Sequence, residues 1–217
     1  MIDLCCGYGV NAALLNHNVD MDDLYDRYAD WPHAGLPVQT VIERDRRLFA
    51  MRRRSPIEAD VIGVDVAANA LAYARDAGLL TEALPLNLER ENPDAKTRAL
   101  FRGADIVTVT GGLSYIGHAS FERVLDCFPA EHRPWVVWFP LRHVNVDSVT
   151  DTLAGFGLKT EWLTTLPQRR MTDARERQLV LRQLKEAGLD PKDKRAGYLH
   201  AACAISRPDP SFRQVLC

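Results

Sequence analysis

Ile2-Asp3-Leu4-Cys5-Cys6-Gly7-Tyr8-Gly9-Val10-Asn11-Ala12-Ala13 runs from an apolar start, through a glycine turn, into a segment of helical period. Glycines in a strand-to-helix turn let backbone approach a ligand with no Cβ in the way. The helix that follows offers unpaired N–H groups and a positive dipole end to a carboxylate or phosphate. A Gly-x-Gly turn alone is a weak signal, because many such connections use glycine for geometry only. The next strand-like run, Val61-Ile62-Gly63-Val64-Asp65, ends in an acid. A carboxylate there can accept both hydroxyl protons of a ribose, or it can cap the helix that follows. The turn and the acid together are far more specific than either.

Outward from this stretch, short apolar runs alternate with segments of helical period. That alternation predicts an α/β fold, a mostly parallel seven-stranded sheet with helices on both faces. Strands are expected at Met1–Cys5, Val61–Val66, Ala83–Leu86, Asp105–Thr110, Trp135–Leu141, Leu158–Leu163 and Leu199–Ser206. Helices are expected near Val10–Leu15, Asn69–Ala77, Phe121–Phe128 and Val146–Gly155. Another should run from about Thr172, as its cap, to Ala187, with Gly188 closing it.

Two stretches exceed the minimal alternation and are read as helical insertions, at about 16–59 and 167–197. Asn16 to Ala59 is too long for a plain connection and must carry structure of its own. Pro37 followed by Val38, Val41, Ile42, Leu48 and Phe49 predicts a helix with one apolar face. Its other face holds Arg44, Arg46, Arg47, Arg52, Arg53 and Arg54. The plainer reading is a solvated basic face; the sharper one is a lid over an anionic substrate. No repeat, low-complexity segment or heptad array is visible.

The 217 residues suit one domain with a sizeable core, and 47% are hydrophobic and 26% charged, as in ordinary globular chains. A net charge of −2 supplies no global field toward nucleic acid or anionic lipid, so neither partner is expected. Cys5, Cys6, Cys127, Cys203 and Cys217 make an odd count and a poor disulfide framework, which points to a reducing compartment. His200 and Cys203 have a ligand-like gap, but no second pair accompanies them, so no metal site is expected. The chain shows no signal-peptide pattern and no apolar run long enough to span a membrane, and a cytoplasmic location is the expectation. Only Met1 and Ile2 precede Asp3, so the domain, residues 1–217, reads as truncated before its first strand.

On these residues the chain resembles the class I S-adenosylmethionine-dependent methyltransferases, with a Rossmann-like fold. The family's first strand and turn read acid-x-Gly-x-Gly-x-Gly, and Asp3, Gly7 and Gly9 fit that frame, with Cys5 in place of the first glycine. The resemblance implies that Asp65, followed by Val66, takes the ribose, and that Asn87, followed by Leu88, stands near the adenine. It places Tyr8 in the cofactor turn. It also implies that Thr110, Gly111 and Gly112 line the methionine and substrate side, within Thr110-Gly111-Gly112-Leu113-Ser114-Tyr115. The Leu199–Ser206 strand matches the family's antiparallel last strand.

Two other readings stand beside this one. An NAD(P)-dependent oxidoreductase also fits Gly-x-Gly-x-x-Ala at Gly7–Ala12, but its ribose acid lies about 20 residues on. Asp65 lies more than twice as far, and no apolar strand leads into Asp20, Asp22 or Asp23. A cofactor-binding module without catalysis stays open.

Within the family, enzymes acting on adenine amines or glutamine amides carry Asn/Asp-Pro-Pro-Tyr/Phe after the fourth strand. Thr110-Gly111-Gly112-Leu113 resembles small-molecule enzymes instead, so a small-molecule acceptor is implied. Metal-dependent relatives place an aspartate near this point, and residues 110–117 contain none. The implied reaction is direct displacement at the sulfonium methyl, driven mainly by proximity and alignment. His118 could act as base or equally be a surface or capping residue, and Tyr115 could position the acceptor or pack against the cofactor. His143 reads as a surface or capping residue and His200 as structural.

Overall fold

A computed structural model describes residues 1–29, 35–54, 59–171, 173–189 and 197–209. In chain order the elements are β1 (Ile2–Leu4), α1 (Val10–Asn16), α2 (Met21–Tyr28), α3 (Val38–Met51), β2 (Ile62–Asp65) and α4 (Ala68–Asp76). Then come β3 (Glu82–Pro85), α5 (Ala95–Phe101), β4 (Ile106–Thr110), α6 (His118–Leu125) and β5 (Trp135–Phe139). The chain closes with α7 (Asp147–Gly155), β6 (Leu158–Arg170), α8 (Ala174–Glu186) and β7 (Tyr198–Pro208). The strands form one sheet in the order β3-β2-β1-β4-β5-β7-β6. All pairings described within it are parallel except those of β7, which runs antiparallel to both β5 and β6. This is the expected α/β sheet with a reversed last strand.

The chain divides into two compact units, Met1–Asn87 and Leu88–Cys217. In the first, Ile2 and Leu4 of β1 and Ile62 and Val64 of β2 are buried, as in strands covered on both faces. Ala12 and Ala13 of α1 and Leu71 and Ala74 of α4 pack with Val61 into one core, and so do Val19, Leu24 and Phe49 from the Asn16–Ala59 insertion. Burying a phenylalanine such as Phe49 is worth about 1.5–3 kcal/mol. That anchor makes the insertion part of the unit and not a loose loop.

Among its described residues the insertion carries two helices. α3 starts just after Pro37, as its sequence predicts, and buries Val41, Ile42 and Phe49. α2 was not anticipated; Asp20 caps it by accepting from the Asp23 N–H, and Asp23 reciprocates. The arginine face of α3 is largely tied down. Arg46 Nε donates to the Asp76 carbonyl at 2.7 Å, Arg52 pairs with Asp23 at 3.0 Å, and Arg54 Nε donates to the His17 carbonyl at 2.8 Å. Those bonds favour a structural role over a lid for an anion.

In the second unit β6 runs to Arg170, well past its expected end at Leu163, while β7 stays close to its expected bounds, and the insertion between them begins near 171 instead of 167. Pro167 argues against a strand in sequence, yet β6 is the sheet edge, where a missing N–H costs little. The ladder also shifts register between Pro167 and Arg169. Trp138 is fully buried on β5 and donates its Nε1–H to Ser206 Oγ at 3.1 Å, which pins β7 to the core. Thr172, the expected cap of α8, lies outside the described residues; Asp173 caps it, accepting from the Glu176 N–H at 2.8 Å. No helix among the described residues is long and apolar enough to cross a membrane.

Candidate functional site

The turn after β1 is built by positive φ angles at three of its residues. Cys5 has φ 55°, Gly7 53° and Gly9 78°. Cys5 is thus a non-glycine residue in the conformation glycine favours, at the position where the methyltransferase frame has glycine. Gly9 caps α1, and a Cβ there would meet Ala74 Cβ at 3.1 Å and Leu79 Cβ at 3.3 Å, so this glycine serves close packing. At Gly7 a Cβ would meet nothing within 4 Å, so that backbone faces open space.

Asp65 at the end of β2 is bonded directly to this turn. Its Oδ2 accepts the Gly7 N–H at 2.9 Å, and its Oδ1 accepts the Ala67 N–H at 2.8 Å. The second bond is a local Asx turn; α4 is capped at Ala67 without a side-chain bond, so Asp65 is not a helix cap. A carboxylate offers about four lone-pair sites, and these two bonds use two. Asp65 therefore retains acceptor capacity for two hydroxyl donors.

Beneath the turn Asp3 is fully buried, and its Oδ1 accepts from Asn11 Nδ2 at 2.9 Å, holding the first turn of α1. Burial, with the Asp3 and Asp65 carboxylates nearby, pushes the Cys6 thiol up, so it stays protonated and acts as core. Around the turn two apolar side chains remain open, Tyr8 at 61% and Val66 at 67% exposure. Asn87, the last residue of this unit, is half-buried.

Tyr8 meets Tyr73 of α4 edge to face, with ring centroids 5.4 Å apart. Tyr73 in turn donates its hydroxyl to Asp45 Oδ2 at 2.5 Å, and its oxygen lies 3.1 Å from the Tyr28 hydroxyl. Asp45 is fully buried on α3, and Arg27 of α2 pairs with its Oδ1 at 2.6 Å. The turn is thereby wired to the insertion through one aromatic contact and one buried polar network. Sequence reading missed Asn11, Tyr73 and Asp45, because their partners lie 8 and 28 positions away along the chain.

The second unit holds the remaining expected residues. Leu88 is buried, and Arg123 Nη1 donates to its carbonyl at 2.5 Å. Thr110 ends β4, Gly111 follows at φ 75°, and Gly112 is buried. A Cβ on Gly111 would stand 2.8 Å from Gln168 Nε2, a residue of the β6 extension that no sequence signal marked. Tyr115 is 81% exposed, and His118 is the exposed first residue of α6. Beside them Glu89 Oε1 accepts from the Gly117 N–H at 2.9 Å, the Ser120 N–H at 3.2 Å and the Ser120 hydroxyl at 2.6 Å. Burial opposes ionisation of Glu89, but these bonds outweigh it and hold the carboxyl below its ordinary range.

No family profile and no curated protein matches the chain in sequence. Solved structures do match. The YcgJ protein from Bacillus subtilis is similar over 96% of this chain and 91% of its own, with 12% identity and a TM-score of 0.52. Magnesium protoporphyrin IX methyltransferase (ChlM) from Synechocystis PCC 6803, with bound S-adenosylmethionine, shares 10% identity over 95% of this chain and 68% of its own, with a TM-score of 0.43. The plantazolicin methyltransferase BpumL, in complex with S-adenosylhomocysteine, shares 8% identity over 96% of this chain and 75% of its own, with a TM-score of 0.42. The chain has the Rossmann-like fold of the class I S-adenosylmethionine-dependent methyltransferases, with strand order β3-β2-β1-β4-β5-β7-β6 and a reversed β7.

Proposed function

We propose that this chain transfers a methyl group from S-adenosylmethionine to an oxygen or nitrogen of a small-molecule acceptor. The observation that carries the reading is the bond from the Gly7 N–H to Asp65 Oδ2. It makes one unit of the two sequence features that together point to an adenosine-containing cofactor.

The residues present fit such a group. Asp65 would hold the two ribose hydroxyls on its remaining lone pairs, and the exposed Val66 follows it in the chain. Cys5, Gly7, Tyr8 and Gly9 form the turn, with no Cβ filling the space at Gly7. Asp3 acts from beneath by fixing Asn11. The resemblance adds Asn87, Leu88, Thr110, Gly111 and Gly112 to the proposed cofactor residues. Bound S-adenosylmethionine would supply a sulfonium methyl open to displacement by an acceptor lone pair, with the sulfur leaving as a neutral thioether. A hydroxyl or amine acceptor then needs a proton sink. His118 takes that proton and passes it to water, and Tyr115 positions the acceptor.

Incubation of the full chain with methyl-labelled S-adenosylmethionine and a panel of small acceptors tests the reading. Label in an acceptor supports it. Cofactor binding without transfer to any acceptor favours the non-catalytic module, and tighter binding of NAD overturns the assignment.

A further inference from the structure

The first unit holds a cavity of about 520 Å³, inside the roughly 300–1,000 Å³ span of small-molecule pockets. Its walls come from the turn and from the insertion alike. Tyr8 and Val10 stand on one side, Tyr73 of α4 on another, and Tyr28, Val41 and Phe49 of α2 and α3 close it. Every lining side chain among the described residues is aliphatic or aromatic, and none carries a formal charge. The Tyr73 hydroxyl donates into the Asp45–Arg27 pair and lies 3.1 Å from that of Tyr28. Burial pushes both phenols up, so both stay neutral.

We propose that this cavity receives the body of the acceptor, and that the acceptor is a neutral, mainly apolar ring compound. The inference rests on the methyl-transfer reading and names its substrate class. A charged body would be stripped of water against described side chains that return no counter-charge, which disfavours it over a neutral one. None of the arginines on and just after α3 is among the described residues that line the cavity, and Arg46, Arg52 and Arg54 are bonded elsewhere on the chain. Four aromatic side chains, Tyr8, Tyr28, Phe49 and Tyr73, instead favour a flat ring. Tyr8 links the pocket to the cofactor turn, since it belongs to both. On this account the Asn16–Ala59 insertion is the specificity element.

Three probes with one ring system test it on the full chain by calorimetry: 2-naphthol, anionic 2-naphthoate and cationic 2-naphthylmethylammonium. 2-Naphthol should bind at least about tenfold tighter than either ion. V38W, at the exposed rim, and V41W, inside, should each weaken 2-naphthol about tenfold, while S-adenosylmethionine affinity stays unchanged. Equal binding of the ions, or 2-naphthol affinity untouched by V38W, overturns the proposal even if V41W fails to fold. Self-association that excludes 2-naphthol overturns it in favour of a second copy as occupant. Cofactor binding without 2-naphthol binding removes the pocket and leaves the methyltransferase reading. 2-Naphthol binding without cofactor binding removes that reading, and the acceptor role falls with it.

Discussion

Asn16 and Ala59 hold each other twice: Asn16 Nδ2 donates to the Ala59 carbonyl at 2.8 Å, and the Ala59 N–H donates to Asn16 Oδ1 at 3.0 Å. These residues are the two ends of the insertion, so its base is clamped by one buried amide. Asn16→Ala leaves both Ala59 groups to find water, and should cost about 2–3 kcal/mol. Asn16→Asp keeps the acceptor but sets a buried carboxylate oxygen against the Ala59 carbonyl, so its loss should be at least as large. Chemical denaturation of the three proteins checks the order. Equal stability of Asn16→Ala and the parent would show that the clamp is not used.

Cys5 at φ 55° sits where an L-residue is strained by about 1–2 kcal/mol. Cys5→Gly relieves the strain but frees the unfolded chain, so the net gain should be about 0.5–1 kcal/mol. Thermal unfolding should show a rise of a few degrees. A lower melting temperature would mean that the thiol side chain contributes more than the turn loses.

His17 is buried against Phe49, with ring centroids 5.1 Å apart, and burial lowers its pKa from 6.5. Its neutral form belongs to the folded state. The unfolded chain then binds the extra proton first, so this contribution is present above pH 6.5 and is lost as pH falls below it. Stability measured from pH 7.5 to 5.5 should fall for the parent and fall less for His17→Phe. Parallel curves would remove His17 as the source.

His118→Gln tests the proposed base. Turnover should drop on the order of 10²–10⁴-fold with cofactor affinity retained. Unchanged turnover would return His118 to the exposed start of α6 as a surface residue.

Legibility in the sequence followed the range of the interactions. α3 was readable because Pro37 and the spacing of Val41, Ile42 and Phe49 are local signals. α2 was not, since Leu24 is its single buried residue and no period shows; only its cap, Asp20 with Asp23, could have marked it. The outer half of β6 was lost because Leu163 and Leu166 stay exposed and Pro167 argues against a strand, while its partner residues lie beyond helix α8 in the chain. In the candidate site, Gly7 and Asp65 were legible as motif positions, but their direct bond was not. The Tyr8–Tyr73–Asp45 chain needs three segments brought together, and no local pattern announces it.

The central claim is that Gly7 and Asp65 form the seat of an adenosine-containing cofactor, S-adenosylmethionine. Calorimetric titration of the parent and Asp65→Ala with S-adenosylmethionine, S-adenosylhomocysteine and NAD tests it most directly. The account predicts binding of the first two and not of NAD, with the variant weaker by about 1–3 kcal/mol, the scale of a lost charged hydrogen bond. Equal affinity of the variant and the parent, or a preference for NAD, would contradict it.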